Sequence, residues 1–302
     1  MKNKICLILP YFGKFPNYFD KFLYSISSSK IVDLFIITDN KIIIDYNNIN
    51  IINEEFYDIQ KRINTKLSTY FDNKKLILNK PYKLCDYKPF YNFIFEDFIS
   101  NYSYWGYCDC DLIFGNVDYF LNKINYKNYD VIGSLGHLSI FKNIQNVNSV
   151  VLKDLNSLYD MLNNNQRIYG LDESKYCRYN LCNLNKIDIN DLISDIVFWK
   201  SCLNPVKSIN TKCVYMFKKN SLFEYDLYST KMIEVLYVHL QKRKMKIKEN
   251  RLDKFLIVPN KFVKITKFNY INRLRFRIPH YFLYIFVPKL KRFLKRKLCK
   301  NK

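Results

Sequence analysis

The fold is decided near the N-terminus by residues 4–40, which read KICLILPYFGKFPNYFDKFLYSISSSKIVDLFIITDN. Residues 5–9 and 32–38 are two short apolar runs of the kind found in buried strands. Between them, we expect a helix over residues 15–27, where apolar side chains recur at helical spacing, at Phe15, Phe19, Phe22, Leu23 and Ile26. A strand, a helix and a second strand in this order predict a parallel sheet with a right-handed crossover. Such sheets bind ligands at the carboxyl ends of their strands, so we expect a crevice beside Pro10 and Thr38.

The rest of the chain continues this alternation of helices and strands. We expect helices over residues 54–67, 89–98, 117–124, 147–162 and 189–200. We expect strands over residues 104–108, 131–133 and 138–141, and an apolar segment over 233–240. With 302 residues and a 49% hydrophobic composition, the chain is long enough for one large α/β domain with an appendage. We therefore predict a mostly parallel central sheet flanked by helices.

The positive charge of the chain is concentrated near its C-terminus. The net charge is +22, yet residues 254–302 contain 15 basic and no acidic side chains, which leaves +7 for residues 1–253. Apolar residues fall at helical spacing among the last lysines, at Leu290, Phe293, Leu294 and Leu298. This pattern predicts a basic helical tail that docks on an anionic membrane surface; a helix packed back on the domain is the alternative. We accordingly place a domain at residues 1–250 and an extension at 251–302.

Cysteine usage and the N-terminus indicate the compartment. The nine cysteines are irregularly spaced and include no CxxC pair, which argues against a zinc cluster and favours free thiols in a reducing cytosol. The first apolar run is too short for the apolar region of a signal peptide. The sequence contains no run of about 18 apolar residues, so we expect no helix that spans a membrane. We expect a cytoplasmic protein that lies peripherally on the inner face of the cytoplasmic membrane.

The strongest chemical signal is the segment WGYCDCDLIFG at residues 105–115. Asp109 and Asp111 follow a predicted strand and have apolar neighbours on both sides, which is costly unless the charges have a partner. Carboxylate oxygens suit Mg²⁺ or Mn²⁺, and such an ion would stabilise the charge of a departing nucleoside diphosphate. An isolated Asp-x-Asp is also common in solvated loops, but the position after a buried strand favours a metal site.

Three segments resemble those of bacterial GT-A-type glycosyltransferases: ILPYFGKFP at 8–16, PYKLCDYKP at 81–89 and the segment at 105–115. More specifically, they resemble a group found with capsule and surface-polysaccharide genes, over residues 4–248. The resemblance implies a GT-A fold, a metal bound by Asp109 and Asp111, and a nucleotide-sugar donor with UDP as the expected nucleotide. Cys110 departs from the apolar or acidic middle residue that is usual in the motif, but that position points away from the metal.

The resemblance also implies contacts with the donor. Tyr11 matches a position near the base, and Asp39 matches a position that contacts the base or the ribose. Asp86 and Lys88 precede a predicted helix, where a lysine and helix amides could hold phosphate or ribose oxygens. Capping of that helix by Asp86 and an ordinary exposed position for Lys88 are the alternatives.

A late histidine completes the predicted metal site. Enzymes that resemble this chain often use such a histidine as third metal ligand, with a nearby lysine on the diphosphate. His239 and Lys242 match these two positions, and imidazole is a good ligand for Mn²⁺. The alternative for His239 is a core or surface histidine with a structural partner.

Acceptor and catalytic groups are expected between the two metal-binding segments. Asp172 or Glu173, after Gly170, could be the general base of an inverting enzyme or could stabilise an oxocarbenium-like state in a retaining one. Helix capping is the alternative for this pair. His137 could contact the acceptor or pair with the backbone.

These features predict a metal-dependent hexosyltransferase that moves a sugar to a glycan or lipid-linked acceptor in surface-polysaccharide biosynthesis. Two other classes compete: a nucleic-acid-binding protein that uses the basic tail, and a non-catalytic interaction protein with a GT-A fold. We expect no specific nucleic acid, because residues 1–253 are only mildly basic and contain no recognised motif. Intact Asp109, Asp111 and His239 argue against a non-catalytic protein.

Overall fold

A computed structural model describes residues 2–172, 184–187, 194–195, 213–229, 231–241, 244–258 and 260–264, together with Leu274, Lys289, Leu290 and Arg292. The strands are β1 Lys2–Pro10, β2 Val32–Thr38, β3 Ile49–Asn53, β4 Tyr102–Cys108, β5 Leu112–Phe114, β6 Val131–Leu135, β7 Leu138–Lys142, β8 Lys186–Ile187, β9 Ser194–Asp195, β10 Cys213–Lys218, β11 Ser221–Asp226, β12 Met232–Glu234, β13 Tyr237–His239, β14 Lys246–Ile247, β15 Lys254–Val258 and β16 Lys261–Val263. The α-helices are α1 Phe19–Ile26, α2 Phe56–Leu67, α3 Leu84–Tyr87, α4 Tyr91–Ile94, α5 Glu96–Ile99, α6 Val117–Lys123, α7 Gln145–Asn148 and α8 Leu155–Asn163. Shorter 3-10 helices span Ser68–Phe71, Pro81–Lys83, Lys88–Phe90, Tyr126–Asn128 and Ser149–Asp154.

Within the described residues, the first sheet has seven strands in the order β3-β2-β1-β4-β7-β6-β8. Strands β3, β2, β1 and β4 are mutually parallel, whereas β7 runs antiparallel to β4 and β6 runs antiparallel to β7. Helix α1 connects β1 to β2, as the strand–helix–strand pattern predicted. The chain is therefore a mixed α/β protein with a largely parallel core.

Strand β1 lies in the middle of this sheet and is covered on both faces. Ile5 and Leu7 pack with helix α1 in one buried cluster, whereas Cys6 and Ile8 pack with helix α2 in another. Successive side chains of a strand point to opposite faces, and a strand buried on both faces reads as a continuous apolar run. This packing explains why residues 5–9 are apolar throughout.

Strand β4 has a glycine where a neighbouring strand approaches closely. Gly106 is paired with Ile140 of β7, and a Cβ atom at position 106 would collide with the carbonyl oxygen of Ser139. Glycine in a strand interior often marks such a close backbone approach. The close pairing fixes the end of β4, from which the acidic segment continues.

A second sheet has the strand order β12-β11-β10-β15-β16-β14 in the described part of the chain. Tyr18 and Ile113 pack against it in a shared hydrophobic cluster, which joins it to the first half of the protein. Strands β15 and β16 belong to this sheet, although a domain boundary was expected after residue 250. The folded domain therefore continues through Val263, because β15 pairs with β10 and β16 pairs with β15.

Several predicted helices are shorter or broken. The helix expected over 15–27 begins only at Phe19, because Pro16 and the residues after it form a turn in which the Phe19 amide bonds the Pro16 carbonyl oxygen. The helix expected over 89–98 is divided by Phe95, whose φ of −115° and ψ of 28° are not helical. The helix expected over 147–162 is likewise divided into α7, a 3-10 segment and α8. Breaks of this kind let apolar side chains on more than one side of the segment reach the core.

Of three further predicted elements, one forms different secondary structure and two lie mostly outside the described residues. The apolar segment at 233–240 forms parts of β12 and β13 instead of one element. Most of the helix expected over 189–200 lies outside the described residues, and Ser194–Asp195 form strand β9 instead. The predicted tail helix lies outside them too, apart from Lys289, Leu290 and Arg292. In the part of the chain that is described, no helix combines the length and the apolar character needed to cross a bilayer.

Candidate functional site

Two strands that are far apart in sequence bring the predicted metal ligands together. Strand β5 follows the acidic segment and pairs antiparallel with β13, so that Leu112 lies opposite His239. The amide of Leu240 donates a hydrogen bond to the carbonyl oxygen of Asp111 at 2.8 Å, which extends this pairing into the acidic segment. The backbone therefore fixes the separation of the two segments before any ligand binds.

The side chains of Asp109, Asp111 and His239 form one cluster. One ligand atom from each lies within 4.8 Å of the other two, and His239 Nε2 is 3.4 Å from Asp111 Oδ1. Ligand atoms on opposite sides of a bound Mg²⁺ are about 4 Å apart, so small side-chain rotations suffice to reach metal-binding distances. Asp111 is buried, and a carboxylate removed from water requires a compensating charge. Two carboxylates and an imidazole are a donor set that fits Mg²⁺ or Mn²⁺.

His137 lies behind His239 and supports it. The two imidazole rings are stacked, and His137 Nε2 is 2.7 Å from the hydroxyl oxygen of Tyr237. The carbonyl oxygen of His137 also accepts a hydrogen bond from the amide of Asp109 at 2.9 Å. An acceptor contact was predicted for this residue. The structure places its buried imidazole between His239 and Tyr237, and the acceptor contact stays a prediction.

Lys88 is buried in the same site and makes three polar contacts. Its ammonium is 2.9 Å from Asp109 Oδ1 and 3.0 Å from Asp172 Oδ2, and it donates to the carbonyl oxygen of Gly136. Burial by itself lowers the pKa of Lys88, but the two neighbouring carboxylates outweigh burial and hold the pKa well above its usual value. Lys88 is thus a permanent positive charge beside the metal-ligand cluster. The alternative of an ordinary exposed lysine is wrong.

A donor contact was predicted for Asp86, but its side chain lies elsewhere. Its carboxylate is fully buried and forms an ion pair with Lys83 at 2.7 Å. It also accepts backbone hydrogen bonds from Tyr169, Gly170 and Leu171. Asp86 lies within helix α3 and does not cap a helix. Because its carboxylate oxygens are bonded to Lys83 and to backbone amides, Asp86 stabilises the structure around the cleft and does not face into it.

Asp172 lies beside the candidate metal ligands, where it forms an ion pair with Lys88. Its side chain is only 7% exposed and contacts Lys88. The ion pair ties the Asp172 carboxylate to Lys88, and its predicted role as a general base stays a prediction. Glu173 and Lys242, for which catalytic and diphosphate contacts were predicted, lie outside the described residues.

A cleft of about 900 Å³ opens over Asp109 and Asp111 at the carboxyl ends of β1 and β4. Tyr11 lines it and stacks on Phe15 at 4.6 Å between ring centroids. Burial, followed by the nearby Cys110 and Asp111, raises the pKa of Tyr11 to about 12, so the phenol is neutral at physiological pH. The cleft lies beside Pro10, where a ligand crevice was predicted, but Thr38 is not among the residues that line it.

Asp39 is exposed beside this cleft and shapes the segment that follows β1. It accepts a hydrogen bond from the amide of Gly13 at 3.1 Å, and Asn40 donates to the Gly13 carbonyl oxygen at 2.8 Å. Gly13 has φ +91°, a conformation that favours glycine. Asp39 is not among the described residues that line the cleft. The predicted base or ribose contact therefore stays a prediction, and the observed role is to hold the Gly13 turn.

The model of one protein family, a family of unknown function (DUF6625), matches residues 7–266. The chain belongs to this family. The match covers all the described residues of the metal-ligand cluster and the cleft, and it extends past residue 250, in agreement with the continuous second sheet. No curated protein matches the chain significantly.

Sequence reasoning missed several residues that line the cleft in this DUF6625 member. Three lysines, Lys14, Lys80 and Lys244, are placed along it. The chain is rich in lysine throughout, so no local pattern distinguishes these three from other lysines. Lys83 was also missed, although its spacing of three from Asp86 is a recognisable ion-pair signal on a helix.

Proposed function

We propose that the chain is a metal-dependent glycosyltransferase of the GT-A type. It transfers a sugar from a nucleotide-sugar, with UDP as the expected nucleotide, to a glycan or lipid-linked acceptor of a surface polysaccharide. One observation carries the proposal: Asp109, Asp111 and His239 meet within 4.8 Å under a cleft large enough for a nucleotide-sugar. The residues come from two distant segments, which makes a chance cluster of exposed acidic groups a poor explanation.

The position of the cluster in the sheet supports the GT-A type. The acidic segment follows β4, which is paired in parallel with β1, and both strands end at the cleft. Open α/β sheets bind nucleotides outside the carboxyl ends of their strands.

Each group of the cleft has a chemical task in this proposal. A bound divalent cation would supply Lewis-acid stabilisation of the departing nucleoside diphosphate. Asp109, Asp111 and His239 would hold it, and Lys88 adds a fixed positive charge beside Asp109. The stacked rings of Tyr11 and Phe15 offer an apolar face for a nucleobase.

The proposal is tested by ligand-dependent melting and by donor turnover. Mn²⁺ with UDP at 100 times its dissociation constant should stabilise the native chain by about 2.7 kcal/mol. A panel of nucleotide-sugars should show Mn²⁺-dependent release of nucleotide. The double variant Asp109→Asn/Asp111→Asn should lose both effects, with turnover lower by about 100-fold or more, the scale of losing one electrostatic contact to a transition state.

The matched control is Asp72→Asn, which alters a side chain that is 84% exposed. This variant should behave as the wild type does. Unchanged turnover in the double variant would contradict the proposal. A larger melting shift with an RNA oligonucleotide than with Mn²⁺ and UDP would favour a nucleic-acid-binding protein instead.

We also propose that the enzyme works on the cytoplasmic face of the membrane, where lipid-linked acceptors are located. This part rests on the sequence of the basic tail, in which basic residues alternate with apolar ones at helical spacing. Such a tail would hold the cleft close to its acceptor.

A further inference from the structure

A buried ion pair outside the cleft is connected to the metal-ligand cluster by an unbroken series of contacts. Lys83 and Asp86 are both fully buried and lie 2.7 Å apart. Lys83 also donates to the carbonyl oxygens of Met161 and Arg167, at 2.7 and 2.9 Å. The pair is therefore bonded on one side to the segment that leads into residues 169–171.

The carboxylate of Asp86 accepts hydrogen bonds from the backbone amides of residues 169–171. Oδ1 accepts from the amides of Tyr169, Gly170 and Leu171 at 3.0, 2.8 and 3.3 Å. Gly170 has φ +61°, so the chain turns here in a conformation that favours glycine. Asp172 follows at once, and the turn delivers its carboxylate to Lys88. The direction of the Asp172 side chain thus depends on hydrogen bonds made to Asp86.

Lys88 is the next link. An ammonium has three donors, and the three acceptors around Lys88 are Asp109, Asp172 and the Gly136 carbonyl group. If Asp172 were absent, the charge of Lys88 would be balanced by Asp109 alone. Asp109 would then be a weaker ligand for a cation, because its negative charge would already be neutralised.

Charge balance leads to the same conclusion. Asp109, Asp111 and Asp172 carry three negative charges and Lys88 carries one positive charge, so with a neutral His239 the group has a net charge of −2. That value matches a divalent cation. Without Asp172 the group would carry only one negative charge, and the attraction for a divalent ion would fall.

We propose that Asp86 is a positioning residue of the metal site, acting through residues 169–171 and Asp172. By holding the turn, it keeps the Asp172 carboxylate on Lys88, so that Asp109 keeps its charge for the cation. The inference rests on the metal site of the proposed function, but not on the identity of the reaction.

The test is a double-mutant cycle on Mn²⁺ affinity, measured by electron paramagnetic resonance of free Mn²⁺ in the full chain without any sugar donor. Asp172→Asn and Asp86→Asn should each weaken binding by about 10- to 100-fold, the range for residues that support a metal ligand. The double variant should bind about as weakly as the weaker single variant, because both changes disrupt the same contact between Asp172 and Lys88. Additive losses would overturn the proposal, as would wild-type affinity in Asp86→Asn.

Asp33→Asn is the matched control. Asp33 is also a buried aspartate, bonded to Lys4 at 2.7 Å and to the Tyr102 hydroxyl at 2.8 Å. It lies near the amino end of β2, at the opposite end of the sheet from the cleft. Its substitution should lower the melting temperature but leave Mn²⁺ affinity unchanged. A parallel loss of Mn²⁺ affinity in Asp33→Asn would show that general destabilisation explains the Asp86 result.

Two readouts cover the case in which Asp86→Asn fails to fold. In the wild type, the amides of residues 169–171 should exchange hydrogen far more slowly than the amide of exposed Gln166. Rapid exchange at all three would overturn the proposal.

The second readout is the variant Gly170→Ala, which leaves Asp86 intact. The added Cβ atom meets nothing within 4 Å, but alanine strains the turn at this positive φ, so the variant should also weaken Mn²⁺ binding. If no donor is turned over but the Mn²⁺ cycle behaves as expected, the proposed function fails and the positioning role stands.

Discussion

The imidazole of His137 is stacked on the imidazole of His239, with ring centroids 4.1 Å apart and ring planes inclined by 25°. On its other side, His137 is bonded to Tyr237, which lies two residues before His239 on the same strand. Groups that contact a metal-binding histidine fix the orientation of its ring. The stack therefore holds the His239 ring near the two carboxylates, as the proposed metal site requires.

Replacement of His137 by alanine should weaken Mn²⁺ binding by about 10-fold, because the His239 ring would gain rotational freedom. The measurement is isothermal titration of the purified chain with Mn²⁺. His137→Phe is the matched variant: it loses the bond to Tyr237 as alanine does but keeps a flat ring on His239. It should retain most of the affinity. Equal losses in the two variants would show that the tyrosine bond matters and the stack does not.

Replacement of Lys88 by methionine should destabilise the fold, since Asp109 and Asp172 would face each other without the ammonium between them. Loss of one partner of a buried ion pair costs about 3–5 kcal/mol, and urea unfolding at pH 7 would measure it. Lys66→Met, which removes a surface ion pair at 3.2 Å, should cost less than about 1 kcal/mol. A cost for Lys88→Met no larger than this control would contradict the buried charge network.

The wild type and Lys88→Met also give a prediction for how stability depends on pH. The pKa of Lys88 is raised in the folded state, so its stabilising contribution is fully present below the unfolded pKa of about 10.4 and is lost as pH rises through the folded value. The stability difference between the wild type and Lys88→Met should therefore be constant from pH 7 to pH 9. A difference that rises with pH over this range would show that burial outweighs the two carboxylates and lowers the pKa of Lys88.

Removal of residues 289–302 should release the protein from anionic vesicles. This segment contains eight basic side chains, and each contributes about 1 kcal/mol near an anionic surface. Co-sedimentation with vesicles of phosphatidylglycerol and phosphatidylcholine would measure binding, with pure phosphatidylcholine vesicles as the control. Undiminished sedimentation of the shortened chain with anionic vesicles would refute membrane docking by the tail.

The parallel core was predictable because its strands are buried on both faces. Strand β2 was predicted with its observed bounds, since five of the seven residues Val32–Thr38 are apolar. Strand β3 was missed because Ile49–Asn53 lies at the edge of the parallel strands and begins and ends beside asparagines. Local pattern is informative where burial is uniform, and it fails where a strand is partly exposed.

The site was predictable only in part, for a related reason. Asp109 and Asp111 stand out because charge follows an apolar strand. Asp86 gives no comparable signal, because its bonded amides lie more than 80 residues along the chain, at positions 169–171. A helix cap, a donor contact and a buried ion pair look the same over nine residues of sequence. Only tertiary structure distinguishes them.

The ladder between β5 and β13 has a consequence for how this architecture can diversify. Three residue pairs join the acidic segment to the histidine strand, and everything between Phe114 and Tyr237 departs from and returns to that ladder. Insertions or exchanges in the intervening chain that spare His137 and residues 169–172 can therefore remodel the surroundings of the cleft while Asp109, Asp111 and His239 stay together. If the proposed function holds, chimeras that exchange the other parts of this interval between family members should change which donor is used.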